Sequence, residues 1–341
     1  MKQVNWGIIG LGNIALKFAD AFKNVKNAKL VGVSSKDNNK LEYFKKNFQI
    51  NEDHCFHKYE DLLKCDNIDI IYIALPNFLH CEWMIKCTEN GKNVLVEKPA
   101  TMNSSEMKNV KVFFNKKDLF FAEALMYLYH PQILKTINLI KEDVIGKLVS
   151  IESLFGEDIL TKKNIFGFKK RKKIDKDNRL YNKELGGGAI LDLGCYPLSF
   201  SVLVAKLTPS FNYKNIKVLK KKLNIIETGV DIDSYAEIDF GNSFKSYIGA
   251  SFTKNLGKAT KIRGTTGELV IEDTWHGDTS LIRIVGQNSD KIEINCYNNI
   301  YSHEIEILSK CLLENKKKPD FPGLTINDTL ENMKILDNWL N

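Results

Sequence analysis

The chain has 341 residues, of which 43% are hydrophobic and 27% charged, with 7 prolines and 21 glycines; this composition excludes a disordered, linker-like or collagen-like chain. At roughly 150 residues per domain the length predicts about two domains, and no continuous apolar run approaches the ~18 residues that a membrane span requires. The net charge is +7, yet residues 162–183 alone hold ten Lys/Arg and two Asp, a net of +8, so the rest of the chain stands at −1; the evenly basic face of a nucleic-acid binder is not expected.

The first 125 residues alternate between short apolar runs and helix-period segments. Strands are expected at 4–9, 29–34, 68–75, 93–97 and 118–122, and helices at 13–24, 39–47, 79–89 and 104–115. The run at 68–75 is almost wholly apolar, as in a strand buried on both faces, and Gly91 and Pro99 punctuate the elements around them. Such alternation predicts a doubly wound parallel α/β sheet. Beyond it the pattern changes. A helix at 130–142 and a strand at 149–155 precede the basic segment, and a helix runs from the Gly186-Gly187-Gly188 triplet to about 205. Strands follow at 231–240, 244–252, 259–264, 268–271, 281–285 and 291–295, then helices at 303–314 and 326–340. Consecutive strands without intervening helices predict a large, mostly antiparallel sheet. The domains are therefore expected at 1–123 and 124–341, with the last helix packing back on the first domain.

The N-terminus runs straight into a strand and has no signal-peptide pattern. Seven cysteines, an odd number without a CxxC pair, exclude a disulfide framework and a zinc site of standard spacing. No metal is expected, the thiols are read as reduced, and a cytoplasmic location follows. The segment 162–183 is either a solvated loop or a basic flap beside an anionic ligand.

Gly10-Leu11-Gly12-Asn13-Ile14-Ala15 is a GxGxxA motif placed between a strand and a helix. Gly10 permits the tight turn, Gly12 lets the backbone approach a pyrophosphate, and the small Ala15 allows close helix–strand packing. Asn13 and Ile14 open a helix whose N–H groups and dipole face the phosphates. A dinucleotide cofactor is expected. In NAD-binding proteins an acid about 20 residues on takes the ribose hydroxyl. Here the second strand ends in Ser34, Ser35 and Lys36, donors suited to a 2′-phosphate, so NADP is favoured. NAD remains the alternative if Asp37 binds the ribose.

Two clusters carry chemistry. Lys98, in Val96-Glu97-Lys98-Pro99, stands at the carboxyl end of a strand, where open α/β sheets bind ligands. Asp192 and Tyr196 stand four residues apart after the glycine triplet and share one helix face amid apolar neighbours. A tyrosine beside a lysine can act as acid/base, because the ammonium favours the phenolate.

These residues resemble the Gfo/Idh/MocA family (glucose–fructose oxidoreductase, inositol dehydrogenase and relatives). The resemblance spans nearly the whole chain. It is carried by the GxGxxA motif, Ala74-Leu75-Pro76-Asn77 with His80 and Trp83, Glu97-Lys98-Pro99, Glu123-Ala124-Leu125-Met126-Tyr127 and the Asp192/Tyr196 cluster. Arg179-Leu180 and Gly194-Cys195-Tyr196 are most similar to the branch holding dihydrodiol dehydrogenase and NADP-dependent D-xylose dehydrogenase. The resemblance implies a Rossmann domain and a second domain with an open sheet that mediates a homodimer or homotetramer. It implies hydride transfer between a nicotinamide and a sugar or polyol carbon. Lys98 would hydrogen-bond the reacting hydroxyl, Tyr196 would be the acid/base, and Asp192 would orient substrate or Lys98. Pro76, Asn77 and Glu97 would line the nicotinamide half of the cofactor site, Leu75 would also bind the cofactor, and His80 would lie near it or else pack at its helix N-terminus. Leu128, and Ser201-Val202-Leu203, replace arginines usual in that branch, so the basic segment would supply charge for a phosphorylated or nucleotide-linked sugar. A non-catalytic NAD(P)-binding sensor and redox-neutral glycoside chemistry with tightly held NAD are the alternatives. No nucleic-acid or membrane partner is expected.

Overall fold

The computed structural model describes residues 2–163, 169–276, 279–286, 289–296 and 299–341; the middle of the basic segment, 164–168, lies outside them. Contacts divide the chain into two compact units, 1–130 with 297–330 and 131–296 with 331–341.

The first unit begins β1 (Val4–Ile9), α1 (Asn13–Ala21), β2 (Ala28–Ser34), α2 (Asn38–Phe48), β3 (Cys55–Phe56) and α3 (Tyr59–Leu63). It continues with β4 (Ile70–Ile73), α4 (His80–Glu89), β5 (Asn93–Glu97), α5 (Ser104–Lys117) and β6 (Phe121–Ala124). All six strands are parallel, in the order β3-β2-β1-β4-β5-β6. That is the dinucleotide-binding order, with its reversal point between β1 and β4. Every residue of β4 is buried, which explains its unbroken apolar sequence. α1 lays Ala15, Phe18 and Ala19 into the core, and the Phe18 ring stacks on Tyr72 of β4 at 3.9 Å. β3 and α3 were not expected; both are too short to show a period. β6 starts at Phe121, later than expected, because Asp118 (φ 50°) ends α5 in a left-handed cap.

The second unit holds α6 (Pro131–Lys141), β7 (Leu148–Gly156), β8 (Thr161–Lys163), β9 (Lys169–Arg171), a π-helical turn (Ile190–Gly194) and α7 (Cys195–Ala205). β10 (Lys217–Ile225), β11 (Asp231–Asp239), β12 (Lys245–Ser251), β13 (Thr260–Gly264), β14 (Gly267–Ile271), β15 (Thr279–Gly286) and β16 (Asp290–Asn295) follow. Eight strands form one sheet in the order β10-β11-β12-β7-β13-β14-β15-β16, antiparallel except for the β12–β7 pair. α7 is buried on every side, as its unbroken apolar sequence requires, and it packs on β7 and β12. The run 183–205 has the length and hydropathy of a membrane span, contrary to the sequence reading, but it is almost wholly buried inside the protein and serves as a core helix. β10 also was not expected: its Lys217-Val-Leu-Lys-Lys-Lys sequence reads as solvated, and it is an edge strand whose lysines face acids of β11.

α8 (Ile300–Leu313) and the start of α9 (Ile326–Leu340) return to the first unit. Trp6 of β1 donates its indole N–H to Ser309 of α8 at 2.9 Å, and Ser302 of α8 donates to the Ala21 carbonyl at 2.9 Å. Trp339, at the end of α9, packs in the second unit, where an added Cβ on Gly194 would lie 2.8 Å from its ring.

Candidate active site

In the first unit the candidate residues gather along the carboxyl edge of the parallel sheet. Gly10 follows β1 with φ +87°, and a Cβ there would lie 2.5 Å from the Ala74 carbonyl oxygen, so only glycine closes this turn against the chain leaving β4. Gly12 is different: a Cβ there would meet nothing within 4 Å. Protein packing does not demand glycine at that position, whereas the close approach of a ligand would. Gly12 caps α1 with no side-chain hydrogen bond and no acid in the first turn. Asn13 is exposed and Ile14 half-buried beside it. The uncapped N–H groups, the positive end of the helix and the open space above Gly12 fit a dinucleotide pyrophosphate.

The end of β2 corrects part of the sequence reading. Ser34 is fully buried and donates its hydroxyl to the Phe56 carbonyl at 2.8 Å, and the buried Ser35 hydroxyl accepts the Asp37 N–H at 3.1 Å. Ser34 has thus given its O–H to the chain, whereas Ser35 only accepts and keeps its O–H to donate. Asp37 accepts the N–H groups of Asn39 and Lys40 and so caps α2. Lys36 is the exposed cation of the group, with its Nζ 5.9 Å from the centre of the Tyr59 ring.

After β4, Pro76 is exposed, while Leu75 and Asn77 are buried. His80, expected beside the cofactor, is fully buried at the start of α4. Its Nδ1 lies 2.9 Å from the Pro99 carbonyl and its Nε2 2.8 Å from the Leu75 carbonyl. The ring thus ties the loop after β4 to the loop after β5. Glu97 ends β5. It accepts the Tyr72 hydroxyl on one oxygen and the Lys98 N–H, at 3.2 Å, on the other. Tyr72 is held neutral by burial and by the Glu97 charge. Lys98 itself is half-buried at the strand end.

In the second unit Asp192 lies in the π-helical turn and Tyr196 in the first turn of α7. Such widened turns recur at functional sites. The turn is set by a residue that the motif reading missed. Asp231, at the start of β11, accepts the Ile190 N–H at 2.9 Å and the Ser234 hydroxyl at 2.9 Å. Gly188 (φ +114°) has no side chain to collide with that carboxylate. Burial raises the Asp231 pKa, against the pull of those two hydrogen bonds. Asp192 is largely buried and forms an ion pair with Arg179 at 3.4 Å. Among the described residues of the basic segment, Arg179 reaches the cluster. The Tyr196 ring packs edge-on to Phe155 at 5.3 Å and against Trp275 at 5.9 Å, and His276 stands edge-on to the far-sequence Phe155 at 5.9 Å. These aromatic walls come from β7 and the segment after β14, and no spacing in the sequence links them to Tyr196. Leu128 and Ser201, which stand where arginines are usual, are fully buried, and Ser201 is bound to Pro197 O and Ser246.

A dinucleotide-binding parallel sheet, with a lysine at its carboxyl edge, and an Asp/Tyr turn on a second unit define an NAD(P)-dependent oxidoreductase. Comparison with known proteins specifies the family. Residues 4–124 match the Gfo/Idh/MocA oxidoreductase family, NAD-binding Rossmann fold, and residues 133–270 match the Gfo/Idh/MocA C-terminal domain. The chain belongs to this family. It is 28% identical to a trans-1,2-dihydrobenzene-1,2-diol dehydrogenase of Xenopus tropicalis, over 98% of this chain and 96% of that one. It is 23% identical to a D-xylose 1-dehydrogenase (NADP(+)) of Haloferax volcanii, over 97% and 95%. A 3-ketoreductase from Actinomadura kijaniata, solved with NADP and TDP-benzene, shares the fold with a TM-score of 0.82 at 20% identity, over 98% of this chain and 96% of that one.

Proposed function

We propose that this oxidoreductase prefers NADP and transfers hydride between the nicotinamide and a hydroxyl-bearing carbon of a small sugar or polyol, free, phosphorylated or nucleotide-linked. The observation that carries the cofactor preference is the turn after β2. Asp37, the acid that could take a ribose hydroxyl, is engaged in capping α2, and the exposed cation beside it is Lys36. A relative named for NADP(+) supports the same reading. Gly10, Gly12, Asn13 and Ile14 would hold the pyrophosphate, and Leu75, Pro76, Asn77 and Glu97 would border the nicotinamide. When bound, the cofactor accepts or donates the hydride.

The chain supplies the proton chemistry. During oxidation the substrate hydroxyl loses its proton, the carbon loses hydride, and the C–O bond becomes C=O. Lys98 hydrogen-bonds that oxygen. Tyr196 takes the proton as a phenolate favoured by an ammonium, or a desolvated neutral Lys98 takes it directly. Asp192, held by Arg179, orients the reacting groups.

Fluorescence titration with NADPH and NADH, followed by absorbance assays on aldoses, polyols and nucleotide sugars, tests this. Tight NADPH binding with turnover of one substrate class is the expected result. Absence of binding to either nucleotide, or binding with no turnover of any compound, would overturn it.

We also propose a cytoplasmic homodimer or homotetramer. Seven free cysteines suit a reducing compartment. The outward face of the eight-stranded sheet carries a groove of about 350 Å³ bordered by Leu154, Tyr235 and Tyr247, which suits pairing with a second copy. Tyr247→Arg should then shift the mass measured by light scattering toward the monomer, and an unchanged oligomer would refute pairing through this face.

A further inference from the structure

Behind Lys98 the first unit buries acids that the proposed reaction leaves unused. Glu123 stands next to the last residue of β6, paired in register with Val96 of β5, two positions before Lys98. It is 5% exposed. Its Oε1 accepts the Ala100 N–H at 3.0 Å and its Oε2 accepts the Thr329 hydroxyl of α9 at 3.1 Å. One carboxyl therefore fixes the turn that leaves Lys98 and fastens it to α9. A buried carboxylate held by two neutral donors is costly without a nearby cation. Lys98 is the cation placed closest by the strand register, since it stands two positions beyond Val96, the partner of Glu123.

We infer that Glu123 is a positioning residue for Lys98, holding the Lys98–Ala100 turn through its hydrogen bonds and holding the Lys98 ammonium through its charge. The inference rests on Lys98 as the catalytic lysine. It adds a charge control that the motif does not contain. Burial and the neighbouring Glu97 push the Glu123 carboxyl up to about 7, against the Ala100 and Thr329 hydrogen bonds and Lys98, which pull it down. Its charge therefore changes near neutral pH. The groups around it are Glu97 and Lys98 from β5, Thr329 from α9, with Asp328 engaged by Thr325, and Tyr129 after β6. Glu304 of α8 is fully buried, with no hydrogen-bond partner among the described residues; burial and Glu97 push its carboxyl well above the ordinary range.

The first arm of the test needs no known substrate. Lysines are labelled with ¹³C at Cε, the Lys98 signal is assigned with Lys98→Met, and pH titrations compare the wild type with Glu123→Gln. In the wild type the Lys98 signal should shift near pH 7 as Glu123 ionises. In Glu123→Gln that step should vanish and the Lys98 titration midpoint should fall by about one unit, because an opposite charge near a lysine favours its ammonium. With the substrate found by the assay panel, Glu123→Gln should lower kcat about tenfold with KM within about twofold, while Glu123→Ala should also lose thermal stability. A Lys98 signal indifferent to Glu123→Gln, with Lys98→Met inactive, would overturn the inference and leave the catalytic reading standing. An active Lys98→Met would overturn the catalytic reading, and this inference with it.

Discussion

The carboxyl edge of the parallel sheet and the Asp192/Tyr196 turn are built by opposite means. The first is largely backbone. Strand ends, two glycines and one uncapped helix make the nucleotide site, and the residues of its pyrophosphate turn, Gly10 to Ile14, are consecutive. The second is made of side chains brought from afar. Asp231 lies 41 positions from the Ile190 N–H it accepts, and Arg179 lies 13 positions from Asp192. A backbone site tolerates drift in its surroundings as long as the turn survives. A side-chain site fails when one distant partner is lost, because a buried donor or acceptor is then left unsatisfied.

That contrast can be broken most sharply at Lys98, where the backbone edge presents its one chemical side chain. Lys98→Met should lower turnover at least about a hundredfold, the scale of lost acid/base assistance, while NADPH binding in a fluorescence titration stays within a fewfold of wild type. Near-normal turnover would show that the edge binds the cofactor and does no chemistry.

Next in size is the pH dependence of stability. Glu123 has a folded pKa of about 7 against an ordinary value of 4.5. Its contribution is fully present below about pH 4.5 and is lost as pH rises through about 7, a loss of about 3 kcal/mol by linkage. Glu123→Gln lacks this loss. Denaturant unfolding at pH 5 and pH 8 should therefore show the variant gaining on the wild type as pH rises. Parallel pH profiles would mean that the carboxyl stays charged when buried.

In the second unit, Asp231→Ala removes the acceptor for the Ile190 N–H and the Ser234 hydroxyl. It should cost about 2 kcal/mol of stability, the scale of leaving buried donors unpaired, and should lower kcat more than it weakens NADPH binding. Equal loss of both would show that the turn and the nucleotide site are not separable in the way the contrast states. The smallest effect is expected at Lys36. Lys36→Ala should weaken NADPH about tenfold, or about 1.4 kcal/mol, the lower range for a charged hydrogen bond, and leave NADH unchanged. Equal weakening of both would remove the 2′-phosphate role.

The sequence was readable where neighbours along the chain are also neighbours in space. The GxGxxA turn and the strand–helix rhythm of the first 125 residues define the parallel sheet by local pattern alone. It misled where one residue type serves two ends. Ser34 looks like a phosphate donor, but its hydroxyl is given to Phe56 O. His80, expected near the cofactor, bridges the Leu75 and Pro99 carbonyls, a role that the motif alone does not show. The strands β3 and β10 were missed because two residues show no period and because lysines on an edge strand look like a solvated loop.

By itself, then, the sequence determined the order of elements, the glycine-rich turn between β1 and α1, and the residues with reactive side chains. Those follow from short-range sterics and periodicity, which each segment carries alone. Only the tertiary structure decided which polar groups are already engaged, which acid lies behind Lys98, and how Asp231 sets the turn of Asp192. Burial and hydrogen bonding at long sequence separation depend on the whole packed chain, and they fix both the free donors and the charge of each acid.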